Sequence, residues 1–289
     1  MVRQRTLASA LLRAGLFAIL ILFALYYLMP LFVMIATSLK SLEEIRSGSL
    51  LAMPRDVTFE PWAKAWTSAC VGVQCDGLRP YILNSVVMVI PAVAISTALG
   101  ALNGFALTKF RFRGSGTIFA LLLLGCFIPF QVVLLPMARM LGLMGLAGTV
   151  PGLVLVHVVY GIAFTTLFFR NFFVGVSDSI VHAAKIDGAG FFGIFFRVML
   201  PMSLPAIVVT VIWQFTQIWN DFLFGVAFTA SVANPVTVAL NNLVASSTGV
   251  KEYNVDMAAA IIAGLPTLLV YIFAGKYFIR GLSAGAVKG

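Results

Sequence analysis

Charge is scarce in this chain. Asp, Glu, Lys and Arg make up 10% of its 289 residues, where soluble domains carry about 25%. Apolar residues reach 61%, against about 45–50% in such domains, and mean hydropathy is +1.04. These values exclude a water-soluble fold and point to an integral membrane protein. The net charge of +9 comes without a clustered basic face interleaved with stacking residues, which excludes nucleic acid as a partner.

Acids and histidines are also few, 10 and 2. Within predicted spans the only acid is Asp221 and the only histidine is His157. An ion-coupled secondary carrier usually places acids, histidines or broken helices at the bilayer midplane. One acid makes a thin relay, which favours energy delivered by a partner over such a carrier, the main rival reading. A Gly-rich phosphate loop followed by Lys and Ser or Thr is absent, so no ATP-hydrolysing site is present. GAGFFG at Gly188 to Gly193 follows no strand and is rejected as a dinucleotide fingerprint. No residue is assigned a catalytic role, no metal-ligand cluster appears, and transport energy must come from elsewhere.

Cysteines number 3. Cys126 falls within a span and reads as a packing residue. Cys70 and Cys75 lie in a predicted outer loop, where a disulfide is left open by spacing alone.

Long apolar runs are abundant. The length permits roughly six helical spans of about 20 residues, placed near residues 16–37, 81–107, 117–136, 150–169, 206–228 and 257–279 of a single domain, 1–289. The first run is longer than the ~7–15 residue core of a signal peptide and lacks a clean cleavage site, so it reads as a retained span. Pro129 and Pro136 are predicted to bend the third. Ser38 to Pro80 and Ala230 to Val255 read as polar outer loops. Most Lys and Arg, including Arg3, Arg5, Arg111, Lys276, Arg280 and Lys288, then fall on the inner side, which puts both termini in the cytoplasm.

A polar interruption, Val181 to Pro205, lies between the fourth and fifth spans in the loop 171–205. His182, Lys185, Asp187 and Arg197 keep it out of the bilayer, since each charge at the centre costs at least ~2.5–3.5 kcal/mol. It reads as two short helices on one membrane face. Ser177 caps the first, with Asp178 four residues ahead of His182. Gly188 and Gly190 loosen or end it, and Phe191, Phe192, Phe195 and Phe196 give the second an apolar side. Pro201 and Pro205 mark the bend into the next span. Small Ala183 and Ala184 suit a plug for a partner's socket; a solvated interfacial helix with no partner is the alternative.

On the fifth span Gln214, Gln217 and Asp221 fall at i, i+3 and i+7, flanked by Trp213 and Asn220. Amide, carboxylate and indole groups suit a sugar, whose hydroxyls take hydrogen bonds while its C–H face packs on an aromatic ring. The alternative is that these groups bond neighbouring helices. His157 is read in that second way.

The stretch HAAKIDGAGFFGIFFRVMLPMSLP resembles the cytoplasmic coupling loop, or EAA loop, of permease subunits in bacterial ABC importers. Ala183, Ala184, Asp187, Gly188, Ala189, Leu200 and Pro201 match, while His182 stands where the pattern has Glu. WNDFLF at Trp219 to Phe224 and the tail GLSAGAVKG extend the resemblance to the second permease of carbohydrate importers, the group of the maltose, glycerol-phosphate and glucose/mannose systems. The resemblance implies an all-α integral membrane protein with the six-helix type I ABC importer permease architecture. It implies a second permease subunit, two ATPase subunits that carry ATP and Mg, and an extracytoplasmic sugar-binding protein. This chain would hold no cofactor and sit as a multi-pass protein in the bacterial plasma (inner) membrane. His182, Ala183, Ala184, Asp187, Gly188 and Ala189 would dock an ATPase. The tail from Gly281 reads either as a frayed terminus or as a segment that reaches the ATPase pair. An importer of polyols or another small solute, and a membrane scaffold or sensor without transport, are the remaining alternatives.

Overall fold

The computed structural model describes residues 7–49, 51–110, 112–246 and 250–286, with side chains described among residues 11–275. Arg3, Arg5, Arg111 and Lys288 lie outside the described residues, as do the side chains of Lys276 and Arg280. The chain divides into two units, one from Met1–Gly77 and Leu243–Ile262, the other from Leu78–Asn242 and Ala263–Gly289.

The first unit begins with α1 (Leu7–Ser38), an apolar helix long enough to span a bilayer. Its large side chains from Leu11 to Phe32 are exposed on this chain, as lipid or an apolar partner surface would require. The following segment is folded rather than an open loop. It holds α2 (Leu42–Ser47), where Ser41 Oγ accepts from Glu44 N at 3.2 Å, and α3 (Glu60–Thr67). Lys40 is buried there, donating to Ser49 O, while its own carbonyl accepts from Asn254 Nδ2 at 3.0 Å. Cys70 and Cys75 form a disulfide. Ion pairs join Lys64 to Glu252 and Lys251 to Asp256.

The second unit is built on α4 (Arg79–Lys109), which packs along a later helix, residues 150–174. Between them come α5 (Ser115–Gly125) and α6 (Phe130–Leu143), inclined at 101° to each other. Residues 117–136 therefore do not make one straight span. The break falls at Pro129, which has no N–H to give and forces the preceding residue out of the helical region. Pro136, expected to bend the chain as well, is carried inside α6.

α7 (Val150–Val174) is capped by Thr149, whose Oγ1 accepts from Gly152 N at 3.1 Å. Two glycines of α4 set its approach to α7. A Cβ at Gly100 would collide with Thr165, and one at Gly104 would lie 2.7 Å from Phe169 Cβ. Thr165 Oγ1 donates across this seam to Ser96 O at 2.9 Å.

α8 (Asp178–Ile186) and α9 (Phe191–Ile194) follow, then one π-helical stretch, Phe195–Met199, and α10 (Leu200–Met202). The chain turns by 77° into α11 (Leu204–Trp219) at Ser203, so Pro201 stands inside the helical run and Pro205 at its restart. The predicted fifth span, 206–228, is interrupted at Asn220 to Phe222 before α12 (Leu223–Phe228). The predicted outer loop 230–255 contains α13 (Val236–Ala245), with Val236 and Ala239 buried and Val236 N donating to Ser85 Oγ at 2.8 Å. α14 (Tyr253–Ala286) continues past the predicted end at 279, so residues 281–286 are helical rather than frayed; 287–289 lie outside the described residues.

Among the described residues four helices are long and apolar enough to cross a membrane, or six if each bent pair counts as one span.

Candidate functional site

Two parts of the second unit concentrate the residues singled out by sequence. The first is the polar loop. Val181 is buried and anchors α8, while His182, Ala183, Asp187 and Gly188 are exposed and Ala184 and Ala189 half-buried. The predicted plug thus faces away from this chain. Ser177 caps α8, its Oγ accepting from Ser179 N at 3.4 Å. Asp178 pairs with Lys109, Nζ to Oδ1 2.5 Å, rather than turning toward His182. α8 closes with Gly188 N donating to Lys185 O and Ala189 N to Ala184 O, which brings Gly188 to φ +82°. Gly190, with φ −77°, makes no such demand.

The four phenylalanines do not share one side. Phe191 and Phe195 pack on Phe105 of α4, with ring centroids 5.1 and 5.4 Å away. Phe192 and Phe196 point outward, 62% and 57% exposed, and Ile186 stands 86% exposed at the tip of α8. These outward apolar groups lie in the same loop as the small residues Ala183 and Gly188. Sequence reading missed Ile186, whose only signal is an isolated apolar residue between Lys185 and Asp187.

The second part is a cavity of about 500 Å³. Trp213, Gln214, Gln217, Asn220 and Asp221 all line it, together with His157 from α7. Trp213 leans on Phe164 and Phe168, with centroids 4.8 and 5.5 Å away. Gln214 is 2% exposed and spends its Nε2 on Ser96 Oγ at 2.7 Å. Asn220 donates to Thr216 O at 2.9 Å and accepts from Thr267 Oγ1 at 3.3 Å. Asp221 caps α12, accepting from Phe224 N at 3.3 Å and Gly225 N at 3.1 Å. The carboxylate also lies 3.7 Å from His157 Nε2, beyond hydrogen-bond reach. Gln217 is exposed to the cavity. The lining combines amide and carboxylate groups with the aromatic rings of Phe130, Tyr160 and Phe164, which suits a ligand with both hydroxyls and an apolar face. His157 and these rings were not placed there by sequence, because they come from other helices.

A family model described as "Binding-protein-dependent transport system inner membrane component" matches residues 81–283, which include both parts. The chain belongs to this family. A protein of Pyrococcus horikoshii named "Probable ABC transporter permease protein" is 41% identical, over 95% of this chain and 96% of its own length. A Haloferax volcanii protein named "Xylose/arabinose import permease protein" is 32% identical, over 95% of this chain and 93% of its own. A chain in the crystal structure of a bacterial ABC transporter involved in the import of the acidic polysaccharide alginate matches with a TM-score of 0.81. It covers 94% of this chain and 98% of its own length, at 20% identity, and so shares the fold. This family member is accordingly a multi-pass ABC importer permease, a transport subunit and not an enzyme.

Proposed function

We propose that this chain is one of two permeases in a heterodimeric, ATP-driven sugar importer of the plasma (inner) membrane, with both termini cytoplasmic. Two ATPase subunits, carrying ATP and Mg, would bind the exposed face of α8 at His182, Ala183, Ala184, Asp187, Gly188 and Ala189. An extracytoplasmic binding protein would deliver the sugar. ATP binding closes the ATPase pair, moves the docked helices and rocks the spans between inward and outward access.

The observation that carries the sugar reading is the cavity beside α11, whose lining Gln217, Asn220 and Asp221 share with aromatic rings. Neutral polyhydroxyl rings pack their C–H face on such rings and bond amides with their hydroxyls. The Haloferax relative's naming as a xylose/arabinose permease supports the same class. Purification from the native membrane in mild detergent, with mass spectrometry of associated proteins, tests the assembly. Sugars and polyols are then screened, with the recovered binding protein, for stimulation of ATP hydrolysis. Stimulation by sugars supports the reading, and stimulation by polyols alone replaces the substrate. A chain that purifies alone and moves solute without ATP refutes it in favour of an ion-coupled carrier.

A further inference from the structure

By chain connectivity the loop 171–205 moves only α7 and α11, the helices it joins. Side chains attach it to a third. Lys109, the last residue of α4, keeps only 4% of its side chain exposed. Its Nζ donates to Val176 O at 2.6 Å, just past the end of α7, and to Asp178 Oδ1 at 2.5 Å, in the first turn of α8. An ammonium withdrawn from water this far holds such partners firmly, because losing either leaves a buried charge less compensated. Phe110, the next residue, makes the second attachment. Its ring lies 4.5 Å under Lys185 Nζ, from the far end of α8, and 4.8 Å from the ring of Phe191. α8 is thus tied to the end of α4 at both of its own ends.

We infer that Lys109 is a positioning residue that fastens the coupling loop to α4, so that displacement of α8 is passed directly to α4. This rests on the reading that α8 docks an ATPase. Without the fastening, α8 can tilt about its two covalent joints and dissipate the stroke. With it, the loop and the inner end of α4 move together.

The test uses the assembled importer, with Asp178→Asn as the first variant. It leaves the Lys109 to Val176 bond in place and alters a carboxylate that is 73% exposed, so folding is preserved. Lys109→Met removes both bonds, and Lys109→Arg restores a cation. Three quantities are read: ATPase content of the purified complex, ATP hydrolysis, and sugar uptake per ATP hydrolysed. The expected result is an unchanged ATPase content with uptake per ATP lowered about 5-fold or more in Asp178→Asn and Lys109→Met, and substantially recovered in Lys109→Arg. A purely structural role would lower complex yield and leave that ratio alone. If Lys109→Met does not assemble, Asp178→Asn decides. Unchanged uptake per ATP in a complex that keeps its ATPases overturns the fastening alone. A native complex with no ATPase overturns the docking reading, and this inference with it.

Discussion

Gln214 on α11 donates from Nε2 to Ser96 Oγ on α4 at 2.7 Å, in the space left by Gly161 of α7. A single amide therefore joins two helices across the third. Gln214→Leu leaves the Ser96 hydroxyl buried without this donor, at a cost of about 1–3 kcal/mol. The expected outcome is a lower thermal midpoint of the detergent-solubilised complex. Gln217→Leu, one turn on and exposed to the cavity, should keep the midpoint and raise the sugar concentration needed for half-maximal stimulation. Equal shifts in midpoint for the two would contradict this division of labour.

Gly100→Val places a branched side chain against Thr165 at the crossing of α4 and α7. Overpacking of this kind costs about 1–3 kcal/mol or more, and the yield of monodisperse complex should fall sharply. Gly116→Ala, with nothing within 4 Å of the added carbon, should leave yield unchanged and serves as the control.

Gly188→Leu separates folding from docking. Its φ of +82° makes a side chain cost about 1–2 kcal/mol. Within this chain, however, the added carbon meets nothing inside 4 Å. Membrane insertion should therefore survive while the ATPase subunits are lost from the purified complex. Retention of the ATPases with normal uptake would count against docking at this turn.

Asp221 serves α12 as a cap and also faces the cavity. Asp221→Ala should destabilise by about 0.5–2 kcal/mol. Asp221→Asn keeps one carbonyl oxygen to accept from one of the two amides and turns an NH2 toward the other, so its thermal midpoint should fall less than that of the Ala variant. A reduced sugar response in the Asn variant then reports on the carboxylate itself; an unchanged one confines Asp221 to capping.

His182 is exposed on α8. His182→Glu restores the residue common in this loop pattern and should leave uptake intact. Strong loss of uptake would mean that the facing socket is shaped for His.

The long apolar helices α1, α4, α7 and α14 were legible in the sequence, because hydropathy over some twenty residues is a strong signal. Their breaks were not. Proline alone does not locate a bend: Pro30, Pro91, Pro136 and Pro266 all sit inside helices, since neighbouring groups absorb one missing donor. The interruption at Asn220 to Phe222 contains neither proline nor glycine and is marked only by the carboxylate of Asp221. Helical spacing brought Gln214, Gln217 and Asp221 to one cavity as expected of a shared face. It could not tell that Gln214 is already engaged, because Ser96 lies 118 residues away. In the loop, the residue pattern marked the outward surface, whereas the attachment of Asp178 to Lys109, 69 residues apart, had no local trace.

The seam at Gly100 and Gly104 bears on how such a machine changes shape. Two helices that meet where not even a methyl group fits have no clearance for sliding or rolling past each other. α4 and α7 then behave as one strut. Deformation during a transport cycle is left to the places where the backbone already departs from a straight helix; besides the turn at Ser203, two of these lie beside the cavity, at Cys126 to Pro129 and at Asn220 to Phe222. Phe130 and Phe224 stand at the edges of these two joints with ring centroids 6.3 Å apart, and both line the cavity. Flexing at either joint would resize the chamber while the strut stays rigid.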